Sequence, residues 1–179
     1  MDLMTLCQMQ GLSGREEYVR RAVMDICAEK LGKEAVALDG LGSVIVTRKG
    51  TDQTKPRVML AAHMDEVGLI TVSATEDGLL RFRAMGGVDA RVLISKRVRV
   101  GYDTADKPAT VGVIGAMAIH QQTAEDRKNV LPIEQLFIDI GARDKAEAER
   151  IAPAGTLVTF DTPLTPFGDG LVAAKSLDD

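Results

Sequence analysis

VMLAAHMDEVG, residues 58–68, is the stretch on which the fold turns. Small and apolar residues from Val58 to Ala62 run into His63, then Asp65 and Glu66, then Gly68. RVMLAAH, residues 57–63, is nearly unbroken in its apolar character. Such a run is expected of a strand covered on both faces, as in an α/β sheet. SVIVTRKG, residues 43–50, is its predicted partner strand. The polar residues then fall at the carboxyl end of a buried strand, where open α/β sheets place their ligands.

Working back from this stretch, GLSGREEYVRRAVMDICAEKLG, residues 11–32, predicts a helix. Val19, Ala22, Val23, Ile26 and Cys27 recur at three- and four-residue steps and make one apolar face. Ser13 and Glu16 have capping-box spacing, so Ser13 is read as a helix cap and not as a nucleophile. Gly32 is the natural stop.

Beyond Gly68 the pattern changes. LITVSATEDGLLRFRAMGG, residues 69–87, reads as strand, turn at Asp77-Gly78, strand. RVLISKRVRVG, residues 91–101, alternates apolar with basic residues, the period of a half-exposed strand. ATVGVIGAMAI, QLFIDIGA and GTLVTFDTPLTPF supply further strands, and DKAEAERI a short helix with Asp144 and Glu147 in capping-box spacing. Many short strands with one small helix predict a compact β-rich barrel or sandwich. The expected partition is a partial α/β lobe from residues 1–69 and 166–179, with a β-rich module inserted at 70–165.

Composition narrows the function classes. Hydrophobic residues are 45% of the 179, which is enough for a packed core. Aromatic residues are 3% and Trp is absent, so that core is aliphatic. The net charge of −4 and the scattered Lys and Arg argue against a nucleic-acid footprint and against an anionic membrane surface. No run approaches the ~18 apolar residues of a membrane helix. The N-terminus lacks a basic leader and an apolar signal core. Cys7 and Cys27 belong to no disulfide framework or CxxC pair, which suits a reducing cytoplasm.

Two constellations could carry chemistry. On a strand, His63 and Asp65 face the same way, so Asp65 can hold one ring nitrogen and leave the other for a metal. Spacing alone is met more often by a structural histidine at a strand end than by a ligand. Asp178 and Asp179 suit a carboxylate bridging two cations, and they suit a polar tail as well. His120, before a long polar loop, is assigned no role. GGVDARV, residues 86–92, reads as a turn, because no helix follows to cradle a phosphate.

GLSGREE, VMLAAHMDEVGLI, MGGVDARVLISKRVRV, EDRKNVLPIEQLFIDIGARDKAEA and GLVAAKSLDD occur here in the order seen in one family. Together they resemble the tetrahedral dinuclear-metal aminopeptidases, the glutamyl- and deblocking-aminopeptidase relatives often labelled endoglucanase. The resemblance covers essentially the whole chain. It implies a zinc-exopeptidase α/β lobe interrupted by a β-rich dimerisation module, and a homo-oligomer formed through that module. It implies two divalent cations, zinc or cobalt, and a peptide substrate cleaved at its N-terminus by a metal-activated water. His63 would ligate one metal, Asp65 would orient His63, and Asp178 would bridge both metals. Asp179 would be a neighbour of the bridge and not a ligand.

The family's general-base Glu, ligand Glu, ligand Asp and ligand His all lie beyond its bridging aspartate. The chain is therefore expected to be the N-terminal half of such an enzyme, weak in metal binding and inactive alone, since a catalytic zinc needs about three protein ligands. The alternative is a non-enzymatic oligomerisation or regulatory module that keeps the β-rich domain. Glycoside hydrolysis is disfavoured by the scarcity of aromatic sugar platforms.

Overall fold

The computed structural model describes residues 3–52, 54–124 and 128–177. Its chain divides into two units: residues 1–65 with 164–179, and residues 66–163.

In the first unit, α1 (Leu3–Leu6) is a single turn and α2 (Glu17–Leu31) is the main helix. β1 (Val36–Leu38) pairs antiparallel with β2 (Val44–Val46). The turn between them is held by the Asp39 carboxylate, which accepts from the Leu41 and Ser43 amides at 2.9 and 2.8 Å. β9 (Thr165–Phe167) and β10 (Leu171–Ala173) form a second hairpin.

Three expectations for this unit are corrected. The helix begins at Glu17 with Glu16 at its N-cap and no side chain capping it, and the Ser13 hydroxyl, three residues earlier, donates to Asp65. The partner of β2 is β1, which periodicity did not reveal in so short a segment. Residues 57–63 form no strand, and Val58, Met59 and Leu60 are 87%, 86% and 93% exposed. A strand apolar on both faces is stable only with neighbours at its edges and layers over its faces. The described residues supply neither to this run.

The second unit is a closed antiparallel barrel. Its strands are β3 (Gly68–Ala74), β4 (Leu80–Met85), β5 (Arg97–Val100), β6 (Thr110–Gly115), β7 (Phe137–Asp139) and β8 (Leu157–Phe160), in the order β3-β4-β7-β6-β5-β8. Alternation decides which side chains enter: Leu80 and Phe82, Val98 and Val100, and Ile114 are all buried. In β3 the alternation slips once. A bulge between Thr71 and Ser73 leaves Val72 outside and returns Ala74 to the core. Buried Thr71 is satisfied, its hydroxyl donating to the Pro153 carbonyl at 2.7 Å and accepting from the Thr156 amide at 2.9 Å. α3 (Lys145–Ile151) packs Ala148 into the core, with Asp144 accepting from the Glu147 amide at 2.8 Å. The Glu147 carboxylate accepts from the Arg143 amide and side chain, which hold its pKa down to about 2.

The two units differ in core. Among the described residues, the buried hydrophobic side chains of the first unit are Cys7, Leu12 and Ala22, while the barrel buries Leu69, Leu80, Leu93, Ile114, Leu136, Ile138 and others. On the apolar face of α2, Ala22 is buried while Val19, Val23, Ile26 and Cys27 are half-buried.

At the barrel surface, Asp161 is 8% exposed and binds two guanidinium groups, Arg97 Nε at 3.0 Å and Arg99 Nε at 3.1 Å. The Arg97 hydrogen bond, aided by Arg99, holds the Asp161 carboxyl below the usual carboxylate range against the opposing effect of burial. A lowered folded-state pKa stabilises the fold above the ordinary value of about 3.9 and stops doing so as pH falls through the folded value. Asp161→Asn is therefore expected to cost about 1–2 kcal/mol at neutral pH, discounted for the exposed Arg97. Urea midpoints of the two proteins should converge as pH falls below about 4. A gap that persists unchanged in acid would contradict the charge assignment.

Candidate metal centre

The candidate site is built in the first unit from two chain segments. His63 Nδ1 lies 3.0 Å from Asp65 Oδ1 and 3.0 Å from the Asp65 carbonyl oxygen. Both acceptors belong to one residue, so Nδ1 is the donor and the ring is aimed by Asp65. A carboxylate on one imidazole nitrogen is the usual support for a metal ligand at the other. The side chains are 49% and 36% exposed, which leaves the pair accessible.

The second segment is residues 7–13, which lies against the first. A Cβ on Gly11 would sit 3.1 Å from the Met64 carbonyl oxygen, so a glycine permits this approach. Buried Leu12 anchors the segment, and the Arg15 amide closes a turn on the Leu12 carbonyl at 2.7 Å. The turn presents the Ser13 hydroxyl to Asp65 Oδ2. The same segment also holds the chain near the C-terminus. Cys7 Sγ donates to the Ser176 carbonyl at 3.3 Å, and Lys175 Nζ donates to the Met9 carbonyl at 2.5 Å. Ser176 takes a left-handed φ of 57°, a conformation few non-glycine residues adopt.

Asp178 and Asp179 lie outside the described residues. His120 sits in an exposed single-turn helix at residues 119–121. Among the described residues, no three His, Cys, Asp or Glu side chains converge into a metal-binding group. The donor set shown is thus one imidazole with its orienting carboxylate. This fits one corner of a dinuclear centre and does not by itself fit a bound zinc, which needs about three protein ligands. Ser13 is the member of the constellation that sequence reasoning assigned elsewhere. Its S-x-x-E spacing pointed to a helix cap, and no local signal pairs it with a residue 52 positions away.

Comparison with known proteins gives a consistent picture. A putative aminopeptidase of Acetivibrio thermocellus is 34% identical over 168 residues, which is 94% of this chain and 46% of that protein. Aminopeptidase APDkam598 from the archaeon Desulfurococcus kamchatkensis superimposes with a TM-score of 0.81 at 34% identity, over 98% of this chain and 46% of that one. The TET1 peptidase of Pyrococcus horikoshii, described as able to assemble into a tetrahedron or a large octahedral shell, gives a TM-score of 0.78 at 34% identity, over 99% of this chain and 51% of that one. The chain therefore spans about half the length of these relatives. The model of the M42 glutamyl aminopeptidase family matches residues 42–179, most of the sequence, and the chain belongs to that family.

Proposed function

We propose that this chain carries the N-terminal half of a metal-dependent aminopeptidase, with His63 as a ligand to one of two divalent cations and Asp65 as the residue that orients it. Asp178 is the bridging ligand in this reading. The observation that carries it is the contact between His63 Nδ1 and Asp65 at 3.0 Å, on a chain of this family. The cations, zinc or cobalt, supply Lewis acidity toward a peptide carbonyl and acidify water when bound. The chain's own contribution is to hold the His63 ring in one orientation and to brace the segment that precedes Asp178 through Cys7 and Lys175. The substrate is the N-terminal residue of a peptide. The assembly is a homo-oligomer formed through the barrel, a reading supported by the shell described for the Pyrococcus horikoshii relative. The cellular setting is the cytoplasm, supported by free Cys7 and Cys27.

The 179-residue chain is expected to be inactive and to bind metal weakly, because a catalytic zinc needs about three protein ligands and this reading gives it His63 and Asp178. Amino-acid arylamides with added zinc, cobalt or manganese should give no turnover. Robust hydrolysis would show that the site is complete. Cobalt added to the same chain should move the His63 ring resonances while leaving His120 unmoved.

A second reading is a non-enzymatic oligomerisation or regulatory module. It is favoured by the closed barrel, which has a core of its own while the first unit has little. It also gives no turnover, but it leaves His63 indifferent to cobalt.

A further inference from the structure

We propose that Ser13 is a positioning residue for His63, acting through the Asp65 carboxylate. The two oxygens of that carboxylate serve different partners. Oδ2 accepts the Ser13 hydroxyl, and Oδ1 faces His63 Nδ1 at 3.0 Å. The carboxyl torsion of aspartate is broad, so a carboxylate held at one oxygen can swing. Held at both, its plane is set, and Oδ1 stays on the imidazole.

The pair needs that restraint. His63 and Asp65 are about half and a third exposed, and water competes for a hydrogen bond so placed. The Asp65 carbonyl oxygen also stands 3.0 Å from Nδ1, so a carboxylate that swung away would leave Nδ1 with the weaker, neutral acceptor. Ser13 itself is well fixed. It is half-buried, next to buried Leu12, and the turn around it is set by Gly14 at φ 77° and by the Gly14 amide donating to Glu16 at 2.6 Å. The consequence is a fixed tautomer, with hydrogen on Nδ1 and the lone pair on Nε2. This inference deepens the reading of His63 as a metal ligand and rests on it for its catalytic meaning, but the tautomer is a property of the metal-free chain.

The test is nitrogen NMR of the ring in the 179-residue chain, made well above the ordinary imidazole pKa of about 6.5. The chain has two histidines, and His120→Gln identifies the His63 signals. The unsubstituted chain should hold His63 mostly as the Nδ1–H tautomer. Ser13→Ala should lower the ratio of Nδ1–H to Nε2–H forms about fivefold, the difference between a charged and a neutral acceptor. Ser13→Thr, which keeps the hydroxyl, should restore it. Should Ser13→Ala disturb the first unit, Ser13→Cys keeps the volume with a weaker donor and should give an intermediate ratio. An unchanged ratio in Ser13→Ala or in Ser13→Cys would overturn the proposal. Cobalt titration of the unsubstituted chain is a separate arm. Failure of His63 to respond there would sink the ligand reading while leaving the tautomer result intact.

Discussion

Leu69→Ala and Leu60→Ala remove the same atoms nine positions apart, and they are expected to differ by several kcal/mol in effect. Leu69 on β3 is 0% exposed and pairs across to Ala84 on one side and Val158 on the other. Its side chain belongs to the core that includes Phe82, Val98 and Ile138. Truncation there forfeits the burial of the leucine and leaves a cavity that a closed barrel cannot collapse around, because every strand is tied to two neighbours. The expected cost is about 2–5 kcal/mol. Leu60 is 93% exposed, and its truncation should change stability by less than about 0.5 kcal/mol. Urea unfolding with a fixed slope reads both. A large loss at Leu60 would mean that the run 58–60 is covered in solution. That result would point to the sheet neighbours, or a second polypeptide, that its sequence calls for.

Gly78→Ala is the second large effect. Gly78 lies in the β3–β4 turn, where its amide donates to the Thr75 carbonyl at 3.0 Å and the Thr75 amide donates to Leu79 at 2.8 Å. Its φ is 81°, a region that costs an L-residue about 1–2 kcal/mol. Space is lacking as well. A Cβ would meet the carbonyl oxygen of Ala142, lie 2.9 Å from its carbonyl carbon, and lie 3.1 Å from the Asp144 amide. These are backbone atoms of the segment that caps α3, so they cannot step aside as a flexible side chain would. Strain and overpacking together are expected to cost about 2–4 kcal/mol. Gly155→Ala separates the two causes. Its φ is 85° with nothing within 4 Å of the added Cβ, so only the conformational part should appear. Equal losses at both positions would show that packing against residues 142–144 is not what makes Gly78 special.

The barrel was the more legible half because its information is local. Period-2 alternation in β4, β5 and β6 sorts side chains into core and surface whatever strand lies alongside. The Asp77-Gly78 turn and the Asp144–Glu147 cap are likewise set by residues within a few positions of one another. The closure order was not legible, since pairing β3 with β8 joins segments whose register depends on the intervening chain. In the first unit the same logic misled. The run 57–63 has the composition of a central strand, but composition records what a segment requires and not whether the requirement is met.

The candidate site divides along the same line. His63 and Asp65 are two positions apart, close enough that either an extended or an irregular backbone lets the carboxylate reach Nδ1. Ser13 is different. Its spacing to Glu16 offered a cap, and an exposed helix terminus can take its hydrogen bonds from water. A charged carboxylate is the stronger acceptor, and the approach of Gly11 to Met64 brings it within reach. By itself the sequence determined the helix, the strand alternation, the aliphatic core and the His63–Asp65 spacing, all of which are short-range choices. Only the tertiary structure decided the barrel's closure, the partner of Ser13 and the fate of residues 57–63. The β3–β8 pairing and the Ser13–Asp65 contact join residues far apart in the chain, and residues 57–63 need neighbours that no local stretch can supply.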